Sequence, residues 1–330
     1  MQRNTVILGA LLCITAISVV IASYVTLSTE RYSAEISQNT PISSGVHDDD
    51  DSQGLLPKMK ENALKDPNGP WNRDLFVMRA DSIEGFADQN GTIAIQAAGV
   101  PSVILQPDGS LLATFQWFPT GNDAAFDRIA VASSLDNGKT WAEPTTIILK
   151  DYPRNTTRPY DPTIVRTEDG KIRMYFTVED SKRIGSIHSA LSLDGITYTY
   201  EGEVYARAGE RVFDATVTQL ASGTWMLAVP YVPQKGIHTA TSTDGVTFTA
   251  QSDYVSDAQV NWTGNLFTDT DSVTYFVGGE SPMKKSLWFT KTTNGTTWSE
   301  PVLLNETAGD VALVRTADDA LLVLYVGAQH

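Results

Sequence analysis

Thiol chemistry is all but missing from this chain. Its one cysteine, Cys13, lies inside an apolar N-terminal run, which excludes an internal disulfide, a thiolate metal site and a cysteine nucleophile from everything downstream. Imidazole is nearly as scarce. The four histidines, His47, His188, His238 and His330, stand far apart and never at metal-ligand spacing, which argues against a His-rich zinc site. Positive charge is short as well. The 24 Lys and Arg face 39 Asp and Glu, for a net charge of −15. Phosphate binding needs clustered cations, so no nucleic-acid partner is expected. Helical periodicity is sparse beyond the N-terminus, which points to an all-β interior. Apolar residues make up 42% of the 330, enough for a packed core and too many for a disordered chain.

The apolar run, Thr5 to Leu27, carries no charge and follows Arg3. At about 1.5 Å per residue such a run crosses a bilayer core of about 30 Å, whereas a secretory signal has an apolar stretch of about 7–15 residues. Residues 1–28 are therefore expected to be a single-pass membrane helix, with the rest of the chain outside the cytoplasm. Val20-Ile21-Ala22 offers a cleavage site, and a cleaved signal with a secreted product is the alternative. Residues 29–72 lose all periodicity and contain Asp48-Asp49-Asp50-Asp51. They read as a disordered acidic stalk, since four successive aspartates lack the spaced ligands and turn glycine of a calcium loop.

From residue 73 to 330 the chain repeats itself. Ser134-Leu135-Asp136-Asn137-Gly138-Lys139-Thr140-Trp141 returns as Ser192-Leu193-Asp194-Gly195-Ile196-Thr197-Tyr198, as Ser242-Thr243-Asp244-Gly245-Val246-Thr247-Phe248 and as Thr292-Thr293-Asn294-Gly295-Thr296-Thr297-Trp298. A degenerate copy, Ser82-Ile83-Glu84-Gly85-Phe86, stands upstream, and successive copies begin 52, 58, 50 and 50 residues apart. This is turn chemistry: Asp or Asn accepts hydrogen bonds from nearby backbone amides, and Gly supplies positive φ. These aspartates are expected to be structural, between the third and fourth strands of each unit.

A second series runs out of phase with the first. Val100-Pro101-Ser102, Asp161-Pro162-Thr163, Asp214-Ala215-Thr216, Gly264-Asn265-Leu266 and Asp310-Val311-Ala312 each open a short apolar strand, followed by a turn and a second strand. Four antiparallel strands per period of about 50 residues make a propeller blade. The last unit runs out of chain after two strands, and Asp74–Ala80 with Thr92–Gln96 supply the missing pair. The reading is a five-bladed β-propeller whose final blade is assembled from both ends of the domain, which removes open sheet edges.

The Ser-x-Asp-x-Gly-x-Thr-Trp box resembles the Asp-box, or bacterial neuraminidase repeat, of sialidases. The blade count and Arg158-Pro159-Tyr160-Asp161-Pro162 look more like the five-bladed arabinanase/β-xylosidase and invertase propellers. The resemblance implies a carbohydrate ligand in the axial funnel and carboxylates at the starts of the first strands. On that pattern Asp161 corresponds to the carboxylate that tunes the acid, and Asp214 to the acid itself. The blade-one position, read as Pro101-Ser102, has no carboxylate, and Asp310 is an extra one. Glu179, like Glu280, follows a second strand and is a further acid candidate. Arg158 and Arg211 precede first strands and suit an anionic group. Trp117, Tyr231 and Trp262 offer rings for stacking on a sugar, and Asn265 a polar contact. A Tyr nucleophile with a Glu partner is drawn from Tyr160, Tyr231, Glu179 or Glu280. No sialidase-type Arg-Ile-Pro motif is present.

The expected function is glycoside hydrolysis of a terminal sugar or short glycan, with a non-catalytic glycan- or protein-binding propeller as the alternative. No organic cofactor is required, and converging carboxylates admit calcium on the axis. Asn-x-Ser/Thr sequons occur at Asn90, Asn155, Asn261, Asn294 and Asn305, as suits an exported domain.

Overall fold

The computed structural model describes residues 69–154, 156–180, 184–231, 236–256, 262–279, 287–305 and 308–327. All described residues belong to the unit Asp50–His330. The apolar run and most of the acidic stalk lie outside the described residues, as do Glu280, Asn155, Asn261 and the side chain of Asn305. Among the described residues no helix is long and apolar enough to cross a membrane.

The strands of the described residues form five antiparallel sheets around a common axis. Blade 1 runs from Ala98–Leu105 through Leu111–Trp117 and Arg128–Ser134 to Thr145–Thr146. Blade 2 contains Tyr160–Arg166, Ile172–Glu179, Gly185–Ser192 and Thr197–Tyr205, and Ile148–Lys150 joins its outer edge in parallel. Blade 3 contains Thr216–Gln219, Trp225–Pro230 and Gly236–Ser242, with Thr249–Ala250 and Tyr254–Val255 sharing the outer position. Blade 4 contains Gly264–Thr268, Thr274–Gly279, Leu287–Thr292 and Val302–Asn305. In blade 5 the first two strands are Gly309–Arg315 and Leu321–Val326, and the outer two are Leu75–Ala80 and Thr92–Ile95. The five first strands touch one another in cyclic order, blade 5 against blade 1 included.

Period-two alternation explains why such sheets stack. Leu111 faces the core between blades 5 and 1, whereas Leu112, next in sequence, faces the core between blades 1 and 2. Both faces of a blade are thus covered, which is why the second strands read as continuous apolar runs. One hydrophobic cluster fills each of the five gaps between blades.

The boxes fold as their chemistry requires. In blade 1 Ser134 Oγ donates to Asp136 Oδ1 at 2.9 Å and accepts the Gly138 amide at 2.9 Å. Thr140 gives its amide and its hydroxyl to the two Asp136 oxygens at 2.9 and 2.7 Å, and these bonds pull the carboxylate down to a pKa of about 2. Gly138 has φ of +83°, and a Cβ there would lie 2.1 Å from Leu322 of blade 5. Glycine is thus required twice, for conformation and for space. In blade 3 Gly245 leans on blade 2, whose Tyr175 hydroxyl donates to the Gly245 carbonyl at 2.7 Å. The degenerate copy departs from the pattern: Glu84–Asp88 winds into a 3-10 turn that buries Phe86, and only the bond from the Gly85 amide to Ser82 Oγ survives.

Leu324 sits in the joint of the ring, paired with Val77 on one side and Ala312 on the other, with no exposed surface. Leu324→Ala is expected to cost about 2–5 kcal/mol in urea unfolding, measured as a lowered midpoint with an unchanged slope.

Candidate functional site

The first strands of blades 1, 2, 3 and 5 enter through a distortion, and this aims the site residues. Register breaks fall between Gly99 and Ser102, between Tyr160 and Thr163, and between Gly309 and Val311. Val100, Asp161 and Asp214 take φ of 51°, 52° and 52°, a left-handed backbone that disfavours any side chain and most of all a β-branched one. Bulges of this kind re-aim a side chain out of the ladder. The ladder partners Ser102–Thr114, Thr163–Tyr175, Thr216–Ala228, Asn265–Val277 and Ala312–Leu324 align the blades. Two residues before each stand Val100, Asp161, Asp214, Thr263 and Asp310. The blade-one counterpart of the aspartates is therefore Val100, one place before Pro101-Ser102, and the bulge there matches the one before Thr163 in blade 2.

The aligned residues two places on tie the blades together. Ser102 Oγ accepts the Ile164 amide at 3.0 Å, Thr216 Oγ1 accepts the Leu266 amide at 2.7 Å and Asn265 Oδ1 accepts the Leu313 amide at 3.3 Å. Each bond runs from one blade to the next. Asn265 is buried in this girdle and is occupied by it, so its side chain acts as an inter-blade tie.

Above the girdle lies a recess of about 350 Å³, whose lining includes Trp71, Arg73, Arg158, Tyr160, Asp161 and Asp310. Below it a space of about 10 Å³, with room for about one water, is bounded by Asp214, Asp310, Thr163 and Asn265. Asp310 borders both. Burial raises the Asp161 carboxyl to a pKa of about 7, helped by the charges of Asp310 and Glu179 and opposed by Arg158 and Arg211. Burial, then Asp161 and Asp310, hold Asp214 well above the carboxylate range. Asp310 is raised by burial against its own backbone amide and Arg73. Like-charged carboxyls packed this closely titrate as a group, and each is harder to ionise than a solvated aspartate.

The arginines are placed by acidic partners. Arg158 Nε donates to Asp127 Oδ2 at 2.6 Å, its guanidinium lies 5.3 Å from the centre of the Tyr160 ring, and Gln116 Nε2 donates to the other Asp127 oxygen at 3.0 Å. Asp127 is buried, and burial pushes its pKa up against the pull of Arg158. Arg211 Nη2 donates to Glu179 Oε1 at 2.8 Å and lies 4.4 Å from the Phe213 ring centre. The Tyr160 hydroxyl is buried against Glu179 and Arg211, and burial, then the charges of Asp161 and Glu179, raise its pKa far above the ordinary phenol value.

Asp161, Asp310 and Arg158 thus meet in one recess, with Asp214 beneath and the Glu179–Arg211 pair acting on the same charges. The aromatic candidates lie elsewhere. Trp262 is 3% exposed and packed among Tyr254, Phe276 and Trp288 at ring distances of 5.3, 5.1 and 4.8 Å. That packing leaves its faces no room for a sugar. Trp117 turns into the core between blades 5 and 1, and Gln116 and Phe118 on either side of it line the recess instead. Tyr231 stacks on His238 at 4.2 Å. Trp71 and Arg73 were not anticipated. Trp71 comes from the end of the segment read as a stalk, where Pro70–Asn72 forms a 3-10 turn, and Arg73 is the first residue of the segment read as the propeller. Among the described residues no group of three or more His, Cys, Asp or Glu is arranged to hold a metal ion.

A family model described as a BNR repeat-like domain matches residues 60–318. No curated protein matches the chain. Among solved structures, a Hadza microbial sialidase is 16% identical with a TM-score of 0.50 over 77% of this chain and 57% of that one. A GH43 β-xylosidase/α-arabinofuranosidase from a compost microbial metagenome is 13% identical with a TM-score of 0.53, over 69% and 84%. A GH32 β-fructofuranosidase from Bombyx mori is 14% identical with a TM-score of 0.52, over 68% and 54%. The chain therefore spans little more than half of the sialidase and the fructofuranosidase. At these identities the likeness is one of fold.

An aspartate whose folded pKa lies above its unfolded value binds a proton more readily when folded, so its contribution to stability falls as pH rises from about 4 to about 7. Asp161→Asn is expected to unfold later than wild type at pH 8, with a gain of up to about 4 kcal/mol at about 1.4 kcal/mol per pKa unit. The gain should vanish near pH 4, as followed by urea unfolding at each pH.

Proposed function

Because the chain belongs to the family of BNR repeat-like domains, we propose that it is a glycoside hydrolase-like propeller that takes a terminal sugar or short glycan into its funnel recess. The observation that carries this reading is the set of aspartates at equivalent blade positions, with raised pKa values, beside a recess open to a ligand. Glycosidic cleavage needs one carboxyl that is still protonated near neutral pH and a second that is ionised. Asp161, at about 7, is suited to protonate the leaving oxygen. Glu179, fixed by Arg211, is suited to take a proton from water as the water oxygen bonds to the anomeric carbon. Burial first, then the neighbouring Asp310 and Glu179, favour the protonated form of Asp161. Sialidase, GH43 and GH32 names among proteins of like fold support the substrate class.

The uncharged run Thr5–Leu27 supports a location outside the cytoplasm, behind a membrane helix or, if that run is cleaved, in secreted form. Val100 favours a second reading, since blade 1 offers no carboxylate at the aligned position. A propeller that binds a glycan without cleaving it would have no need of one.

A panel of chromogenic glycosides distinguishes the two readings. A hydrolase acting through this site should lose about 10²–10⁴-fold in rate on Asp161→Asn. Equal rates in wild type and variant reject Asp161 as the acid, and glycan binding without turnover of any glycoside supports the second reading.

A further inference from the structure

The crossover from blade 2 to blade 3, residues 206–215, carries Arg211 and Asp214 to the funnel, and its two halves are held differently. Packing clamps the second half. Val212 has no exposed surface, a Cβ on Gly185 of blade 2 would lie 2.1 Å from the Val212 carbonyl oxygen, and the Asp214 amide donates to Thr177 Oγ1 at 2.9 Å. The first half has no such packing, since Ala206, Ala208 and Gly209 are exposed and add nothing to a core. Its hold on the rest of the molecule is electrostatic. Arg207 Nε donates to Glu210 Oε2 at 3.0 Å, and Arg207 Nη1 donates to Asp253 Oδ1 at 3.0 Å. His238 stands at ion-pair distance from the same two carboxylates, with Nε2 3.1 Å from Glu210 Oε2 and Nδ1 2.9 Å from Asp253 Oδ1. Nδ1 is buried and has no hydrogen bond to any other group. The four side chains close a ring that joins the crossover to the third strand of blade 3.

The charges in that ring alternate only when the imidazole carries a proton on both nitrogens. A neutral imidazole has a single N–H, so one nitrogen would turn a lone pair toward a carboxylate oxygen. His238 is 2% exposed, which leaves water little access to make good the loss. The other titratable groups nearby are Tyr231, whose ring centre lies 4.2 Å away, and Tyr205, which adjoins Arg207. Neither brings a positive charge. We infer that His238 is a positioning residue, a charged keystone that latches the first half of the crossover and so fixes Arg211 against Glu179 beside the funnel carboxyls. Arg211 follows Glu210 directly and is itself exposed, bonded to Glu179 at 2.8 Å. The latch needs the proton on His238. It is therefore closed at the acid end of the range of about pH 5 to 8 in which histidine side chains change charge, and it opens as the pH rises. It acts whether the funnel cleaves a glycan or only binds one.

Hydrogen exchange of the full chain, read by mass spectrometry on peptides spanning residues 206–215 and corrected for the intrinsic effect of pH, measures the latch. In wild type, protection there should fall at least about ten-fold between pH 5 and pH 8, because breaking a buried charge pair from one side is strongly destabilising and the crossover opens locally. His238→Gln should exchange at both pH values as fast as wild type does at pH 8. Asp161 and Asp214 also hold their protons above the carboxylate range, and the variant separates them from His238. A fall with pH as large in His238→Gln as in wild type belongs to those aspartates and overturns the latch. Equal protection of wild type at the two pH values overturns it as well. Should His238→Gln fail to fold, Glu210→Gln decides in its place, since Glu210 is the crossover's own contact with His238 and its side chain is 44% exposed. That variant should show no fall with pH at 206–215, and a fall of wild-type size overturns the latch.

Discussion

Everything in this molecule depends on one antiparallel ladder between residues that lie far apart in sequence. Leu75 through Ala80 pair residue by residue with Val326 through Leu321. Without that ladder, Leu321–Val326 would be a bare edge and the core between blades 5 and 1 would lose Leu75, Val77 and Ile95. With it the first strands close into a ring, and residues at equivalent places in different blades face one another across an axis. The convergence of Asp161, Asp214 and Asp310 is thus a property of ring closure. In an open array the same aspartates would be solvated one by one, and their charges would not be coupled.

Closure also requires that the charges be held in place. Like carboxyls close together favour protonation or separation, and the fold prevents separation by using the backbone. Asp161 and Asp214 sit in left-handed conformations, and the Asp214 amide is anchored by Thr177 Oγ1 at 2.9 Å. One layer below, Ser102, Thr216 and Asn265 fasten neighbouring blades by bonds to backbone amides. The girdle resists the repulsion that the layer above creates. A raised pKa and a rigid girdle are two aspects of one arrangement.

The parts of this architecture that were legible in the sequence are those written in local chemistry. The boxes were readable because a turn closed by Asp and Gly needs those residues at fixed offsets, and their period gave the blade count. Ring closure followed from a unit with two strands missing. What the sequence hid depends on parity and on register. Trp117 and its neighbours Gln116 and Phe118 differ by one place, and on a strand one place is the other face. Val100 stands in the same series as Asp161, each followed by Pro, yet the left-handed backbone it shares with that aspartate leaves no mark in composition. Asn265 and Trp262 have the residue types of a sugar site, yet their burial is decided by neighbours from other blades. Trp71 and Arg73 lie at the end of a segment without periodicity, so nothing local indicated that they belong to the funnel.

The electrostatics of the funnel run against those of the whole chain. A net charge of −15 gives a surface that does not draw anions from a distance, and long-range attraction is screened within about 10 Å in any case. The guanidinium groups of Arg73 and Arg158 are set inside a recess, where surrounding protein replaces water and short-range interactions gain strength. Recognition in such a site is a matter of contact, not of steering. The same recess holds the Asp127, Asp161 and Asp310 carboxyls, so each guanidinium acts first on acidic groups of the fold itself: Arg158 on Asp127 and Asp161, and Arg73 on Asp310.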